Sequence, residues 1–427
     1  MLKRRNSTPS TVEPGVFEPG SRERGFRLRR PGDGGPWRPG NRFHLIAVSE
    51  QYFARMIETI DAAREYVLLE MYLVESGMLV DRFVAALVRA AERGRRVYVI
   101  LDGFGSLGFS TADRARLTAA GVNLRFYNAL SWRKKLHNFL RDHRKILLVD
   151  GRTAFVGGAG LTDEFGGIGD NGLPWRDQMV EISGPVVADW QSAFAWTWRR
   201  CGGHFTESAG ADPRATIEAA PSATAEPASG VTAGATAGAA GRVALSQAAA
   251  RSMIATDVVR RIEGASRRAW VMSAYFVPSR RFRKALRRTA RRHVDVRLLV
   301  PGPLTDHPWV RDAARRFYGK MLRSGVRIFE YQPRVLHGKM TICDDWVSVG
   351  SSNLDRWSFK WNLEANQEIE DTEFAANAAE VFAEDCRLSE ELNARHWPRR
   401  AWLHRVRERI AGALDRWLDR WRRPRVP

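Results

Sequence analysis

The chain has 427 residues, 44% of them hydrophobic, which is enough for one large core or two medium ones. Its three cysteines, Cys201, Cys343 and Cys386, show no CxxC spacing, which argues against a disulfide framework or a structural zinc site. The formal net charge of +20 favours polyanionic partners: an anionic membrane surface, nucleic acid or phosphorylated substrates.

Residues 1–40 are rich in Gly, Pro and Arg, carry little apolar periodicity and are expected to be disordered. A first block, residues 41–204, follows. Tyr66–Tyr72 reads as a buried strand, Asp81–Arg95 as a helix and Val97–Leu101 as a second strand. A further helix leads to a third strand over Gly121–Tyr127. Residues 205–241 are mainly Ala, Gly, Thr, Ser and Pro. They are expected to be a flexible linker, because so few large side chains cannot offset chain entropy.

The second block, residues 242–395, repeats the first. Trp270–Tyr275 is a predicted strand, Arg280–Arg292 a helix and Val296–Val300 a strand; another helix then leads to a strand over Gly325–Tyr331. Strand and helix alternate in both blocks, which predicts an α/β fold built by internal duplication. In the last segment, 396–427, Leu403, Val406, Ile410, Leu414, Trp417 and Trp421 form one apolar stripe opposite an Arg-rich face. This predicts an amphipathic C-terminal helix that either docks on an anionic membrane or packs on the protein itself. No run of eighteen apolar residues occurs, so no membrane-spanning helix is expected. The basic N-terminus lacks the apolar stretch of a secretory signal. The expected location is therefore the cytoplasmic face of the cell membrane, held peripherally.

Each block closes on the same polar motif. In the first, His143 is followed by Lys145 and Asp150; in the second, His337 is followed by Lys339 and Asp344. Side chains at i and i+2 share one face of a strand, so each His projects with its Lys. Asp150-Gly151 is a strong hairpin signal and Asp344-Asp345 a weaker one. The returning strands end in small residues, Gly157-Gly158 and Gly350-Ser351-Ser352, which let a ligand approach the backbone closely. An imidazole, an ammonium and exposed amides on one side suit a phosphate ester. A single copy of such a motif is weak; two copies in equivalent places are not.

The paired motifs resemble the HKD signature of the phospholipase D superfamily. The stretches LLEMYLVESG, WRDQMVEISGPVV and HGKMTICDDWVSVGSSNLDRWSFKWNLEANQEI are similar to bacterial cardiolipin synthases of the branch without N-terminal transmembrane helices. The resemblance implies two pseudo-symmetric phospholipase D-like α/β repeats packed around one shared active-site cleft. It implies transfer of a phosphatidyl group between two phosphatidylglycerol molecules, giving cardiolipin and glycerol. Hydrolysis or transphosphatidylation of other phospholipids, a nuclease of the same superfamily, and a scaffold with a decayed site are the alternatives. Anionic phospholipids are the expected partners and nucleic acid is not. No cofactor or metal is expected, since the lysines supply positive charge.

The resemblance also assigns roles. One His forms a phosphohistidine and the other is the acid/base; family precedent favours His143 as nucleophile, while the spacing leaves the order open. Lys145 and Lys339 would neutralise phosphate oxygens, and Asn353 would add a donor. Each imidazole needs its second nitrogen held. The candidates are Asp177 in the first block and Glu364 in the second, each expected to fold back towards the motif upstream of it. Asp150 and Asp344 belong to the signature, but turn formation explains them as well as catalysis does. One departure is Gly160, where the family pattern has Asn; Thr162 is the neighbour that could reach in instead.

Overall fold

Tyr66–Met71 is an unbroken run of large side chains because both faces of its strand are covered. Val67, Leu69 and Met71 pack on one side, Tyr66 and Leu68 on the other. The structure, a computed structural model, describes residues 35–168, 172–204, 236–247, 252–355 and 358–397, with four isolated positions between 407 and 413. The expected disordered N-terminal segment, the linker and the C-terminal helix therefore lie mostly outside the described residues.

The first half runs β1 (Arg38–Ile46), α1 (Ser49–Asp61), β2 (Tyr66–Met71), α2 (Met78–Glu92), β3 (Arg96–Asp102), α3 (Thr111–Ala119) and β4 (Asn123–Tyr127). A 3-10 segment (Trp132–Phe139) leads on to β5 (Arg141–Asp142), β6 (Lys145–Val149), β7 (Thr153–Gly157), α4 (Asp163–Gly166), β8 (Met179–Ser183) and α5 (Val187–Arg200). The second half runs β9 (Thr236–Ser246), α6 (Met253–Gly264), β10 (Arg268–Ser273), α7 (Arg280–Ala290), β11 (Asp295–Pro301), α8 (Pro308–Leu322) and β12 (Arg327–Tyr331). It closes with β13 (Lys339–Cys343), β14 (Trp346–Gly350), α9 (Ser358–Trp361), β15 (Asn362–Glu370), α10 (Thr372–Arg387) and β16 (Ser389–Glu391). Ser110, Ser252, Ser279 and Asp371 cap their helices by accepting a first-turn N–H.

One continuous sheet joins the halves, in the order β16-β12-β11-β10-β13-β14-β15-β9-β1-β8-β7-β6-β2-β3-β4. Apart from β16, the order reads the same outward from the β9–β1 seam. This is the pseudo-symmetry expected from the duplicated blocks. Helices α5 and α10 cover one face across the seam, with Trp190, Phe194, Phe374 and Phe382 in a single core. Helices α1 and α2 cover the other face of the first half, α6, α7 and α8 that of the second. Among the described residues, no helix is long and apolar enough to cross a membrane.

The seam departs from expectation. Residues 236–241, predicted to be linker, belong to β9, and β1 begins within the predicted disordered segment. The small side chains of β9 have a packing reason. A Cβ on Gly241 would come within 2.4 Å of the Phe43 ring and 2.8 Å of the Gln367 amide. Low bulk in this strand leaves room for its neighbours. Asn41, fully buried at an irregularity in the β1–β9 register, donates to Ala239 O at 3.2 Å and accepts from Val186 N at 2.9 Å.

For Asp150 and Asp344, members of the signature, the structure favours the turn role already weighed against catalysis. Both sit in left-handed turns, with φ of 54° and 53°, at the far ends of β6 and β13 from their histidines. Five strand residues separate each Asp from the start of its hairpin, roughly 17 Å. The Asp150 carboxylate accepts from the backbone N–H of Arg64, Glu65 and Tyr66 at 2.8, 2.8 and 2.9 Å. The Asp344 carboxylate accepts from Ser266, Arg267 and Arg268 at 2.9, 2.9 and 3.0 Å. Each clamps the backbone entering a parallel strand and neither reaches the cleft. Replacing either with Ala is expected to lower unfolding free energy by about 1–3 kcal/mol in urea titrations, with turnover of the folded fraction unchanged.

Candidate active site

Strands β6 and β13 run antiparallel to β2 and β10, pairing Lys145 with Met71 and Lys339 with Ser273. The start of each motif strand therefore lies at the carboxyl end of a parallel strand, where open α/β sheets form crevices. There the two halves face each other across a cleft of about 520 Å³, lined by His143, Lys145, His337 and Asn353 among others.

Glu364 and Asp177 both reach an imidazole, but not in the expected pairing. His143 Nδ1 lies 3.1 Å from Glu364 Oε2, and His337 Nδ1 lies 2.7 Å from Asp177 Oδ2. Each half thus holds the other's histidine. The backbone enforces this exchange. His143 N donates to Leu363 O at 3.0 Å, and His337 N donates to Arg176 O at 2.8 Å. In each case the accepting residue immediately precedes the carboxylate. Arg176 is itself fixed by a buried two-point pair with Asp385 at 2.8 and 2.9 Å.

These contacts set the tautomer of His143. Nδ1 of His143 faces two acceptors, Glu364 Oε2 and Ser351 O at 3.2 Å, so it carries the proton. The Nε2 lone pair is then free. Nδ1 of His337 lies between the Asp177 carboxylate at 2.7 Å and Lys339 Nζ at 2.8 Å, and the same Nζ lies 3.1 Å from Nε2, so this ring is flanked by an acceptor and a donor. The two carboxylates differ in support. Ser351 Oγ donates to Glu364 Oε2 at 2.5 Å and Asn362 Nδ2 to Oε1 at 3.1 Å. At the matching place beside Asp177 stands Gly158, where a Cβ would fall 2.6 Å from both carboxylate oxygens.

Burial dominates the electrostatics. It pushes Glu364 upward, but His143, Lys145 and the Ser351 hydroxyl outweigh it and hold the carboxyl below its usual range. For Asp177, burial wins against Lys339 and raises the group to about 6. Burial lowers Lys145 to about 7 and Lys339 to about 8. Burial and the neighbouring ammoniums also hold both imidazoles below their ordinary values, His337 further than His143. The lysines donate to the backbone carbonyls of their own histidines, Lys145 at 2.6 Å. An anion entering the cleft would supply the countercharge they lack.

Aromatic rings complete the walls and were not singled out in the sequence. Tyr72 packs on His143 at 4.6 Å, and Phe165 and Trp175 on His337 at 5.1 and 5.7 Å. Tyr72 and Tyr275 occupy matching places just after β2 and β10, a signal legible by superposing Met-Tyr-Leu-Val on Ala-Tyr-Phe-Val. Tyr275 OH donates to Asp306, a second unpredicted group of the cleft. Asn353 lines the cleft and accepts from Tyr275 N at 3.3 Å. Its counterpart Gly160 lines the opposite wall; Thr162 is buried away from it. A Cβ on Gly160 would lie 3.0 Å from that of Leu73, so Leu73 occupies part of the space an Asn would need.

The pH dependence of anion binding follows from the lysines. Below about pH 7 both are charged in the empty cleft; above about 8 both lose their protons. The affinity for sulfate, a dianion throughout, is expected to fall by roughly tenfold or more as pH rises from about 6.5 to about 9. Calorimetric titration checks this, and Lys145→Met should both weaken binding and flatten the profile.

Comparison with known proteins identifies relatives of the chain. A family model described as "Cardiolipin synthase, PLD-like domain" matches residues 56–198 and 258–386. Cardiolipin synthase B of Escherichia coli (strain K12) is 33% identical over 393 residues, 88% of each chain. Cardiolipin synthase A of Pseudomonas putida (strain W619) is 32% identical over 386 residues, 89% of this chain and 76% of the relative. Among solved structures, the phosphatidylserine synthase of Haemophilus influenzae Rd KW20 superposes with a TM-score of 0.67 at 12% identity, covering 89% of this chain and 95% of that one. That likeness concerns the fold.

Proposed function

The chain belongs to the cardiolipin synthase family with phospholipase D-like domains, and from that premise we propose that it transfers a phosphatidyl group from one phosphatidylglycerol to another. It is a phosphatidyltransferase of the cardiolipin synthase type. The observation that carries the reading is the crossed pairing of His143 with Glu364 and His337 with Asp177 around one cleft.

The first step forms a bond from His143 Nε2 to phosphorus while the bond to the headgroup glycerol oxygen breaks. His337 gives that oxygen its proton, and glycerol leaves. The headgroup hydroxyl of a second phosphatidylglycerol then returns a proton to His337 as its oxygen attacks phosphorus. The phosphorus–nitrogen bond breaks, His143 is regenerated, and cardiolipin is released. An ionised Glu364, braced by Ser351 and Asn362, supports His143 as nucleophile by stabilising the charge its ring acquires. The phosphodiester's own charge raises His337 towards the protonated form the acid step requires. Lys145, Lys339 and Asn353 bear on the phosphate oxygens. Tyr275 and Asp306 line the cleft beside His337 and would accept hydrogen bonds from glycerol hydroxyls.

Purified protein with phosphatidylglycerol is expected to yield diphosphatidylglycerol and free glycerol without any nucleotide. His143→Ala and His337→Ala abolish the product, and Glu364→Ala lowers the rate by about 10²–10⁴-fold. Thin-layer and mass analysis of the lipids checks this. Phosphatidic acid as the only product would replace transfer with hydrolysis.

A further inference from the structure

Among the described residues, thirteen large apolar side chains are exposed, and six of them lie in two segments bordering the cleft. Such clustering differs from the scattered exposure of ordinary surfaces. The 3-10 segment Trp132–Phe139 buries none of its residues, and Trp132 is 83% exposed. Leu130 and Leu136 are each 47% exposed beside it. Across the opening, the turn after β11 exposes Leu304 and the start of α8 exposes Trp309. Phe139 and Trp309 are half-exposed and also line the cleft, so the two apolar edges flank a single mouth.

The 3-10 segment is held from within by polar bonds. Asn138 Nδ2 donates to Ser131 O at 2.7 Å, and Ser131 N donates to Asn138 Oδ1 at 3.1 Å. Asn128 Nδ2 donates to His137 O and Leu140 O at 2.7 and 2.8 Å. The shape is thus fixed without an apolar core, which leaves the large side chains outward. Between them stand Arg133, Lys134 and Lys135, three consecutive cations. An indole and aliphatic side chains next to basic residues, on a preformed protrusion, match the chemistry of a bilayer interface: acyl chains below, anionic phosphates at headgroup level.

We propose that Leu130–Phe139 and the Leu304–Trp309 segment form the rim on which the enzyme docks to an anionic phospholipid bilayer, with the cleft mouth facing the headgroups. The inference rests on the lipid-transfer reading of the cleft. A donor lipid then reaches His143 without its acyl chains having to leave the bilayer. Of the basic C-terminal segment, Ala411 packs against Val277, Val310 and Ala313, next to Trp309 of this rim.

Co-sedimentation of the full chain with phosphatidylglycerol vesicles and with phosphatidylcholine vesicles tests it. Two double variants are compared, Trp132→Ser with Leu136→Ser, and Arg133→Ser with Lys135→Ser. The first pair should weaken binding to phosphatidylglycerol vesicles by roughly tenfold or more. The second should lose roughly 25-fold on the same vesicles and almost nothing on phosphatidylcholine, about fivefold per cation. Transfer on monomeric short-chain phosphatidylglycerol should stay at the wild-type rate for the Trp132/Leu136 pair, which also shows that the variant folds. Wild-type binding by that pair, or a wild type that does not bind the vesicles, overturns the proposal. Retained vesicle binding by the wild type, lost in the variants, with no diphosphatidyl product from any lipid, would instead remove the transferase reading and leave the docking rim standing.

Discussion

Each imidazole of the cleft is held by a carboxylate from the opposite half of the chain: His143 by Glu364 and His337 by Asp177. Neither half contains a complete site. The rest of the architecture follows from keeping those two contacts in place. The β9–β1 seam makes one sheet of two, and α5 and α10 bury a single core across it. Short cross-half pairings, Arg141 and Asp142 with β15 and Arg176 with Leu336, set the backbone next to each histidine. The buried Arg176–Asp385 pair anchors the strand end that carries Asp177. A small shift at the seam would move both carboxylates relative to both rings, and a nucleophile tolerates little such displacement.

The cleft is also costly to the protein when empty. Two ammoniums and two imidazoles lie buried together, and burial drives all four towards their neutral forms. Glu364 and Asp177 oppose them in direct contact, and Asp177 is itself raised to about 6; Asp306 and Asp355 act from farther off. A phosphodiester would meet the missing countercharge and, on the proposed mechanism, restore the cations that its transition state uses. Such a site favours its ligand through charge that was desolvated in advance. The difference between the two carboxylates gives the histidines different partners: a braced Glu364 held below its usual range and an Asp177 that burial raises to about 6.

Much of this was legible in the sequence, for identifiable reasons. Buried parallel strands such as Tyr66–Met71 and Asp295–Pro301 announce themselves as apolar runs, and duplication doubles every signal. His and Lys two apart must share a strand face, so the cleft's four central groups were readable. The exchange of Glu364 and Asp177 was not. Spacing along a chain says which residues share a strand face, but not which half they will meet once two similar halves pack together. The strand β9 was hidden because its small residues answer to Phe43 on a neighbouring strand rather than to any local pattern. Asp150 and Asp344 recur at fixed spacing because each closes a turn and caps three backbone amides. Periodic recurrence alone does not separate that from chemistry. The aromatic walls, Tyr72 and Tyr275 among them, look like ordinary core residues until the strands' ends are placed.

The most direct test of the crossed, two-histidine site is to trap its covalent intermediate. The phosphatidyl ester of p-nitrophenol with a labelled phosphate, whose leaving group needs no acid, would be mixed with the His337→Ala variant, quenched in alkali, and the peptides mapped by mass spectrometry. Stalled turnover should leave the phosphatidyl group on His143, with none on His143→Ala and a much reduced yield on Glu364→Ala although Glu364 lies in the other half. An adduct on His337 instead, or on neither histidine, would contradict the account.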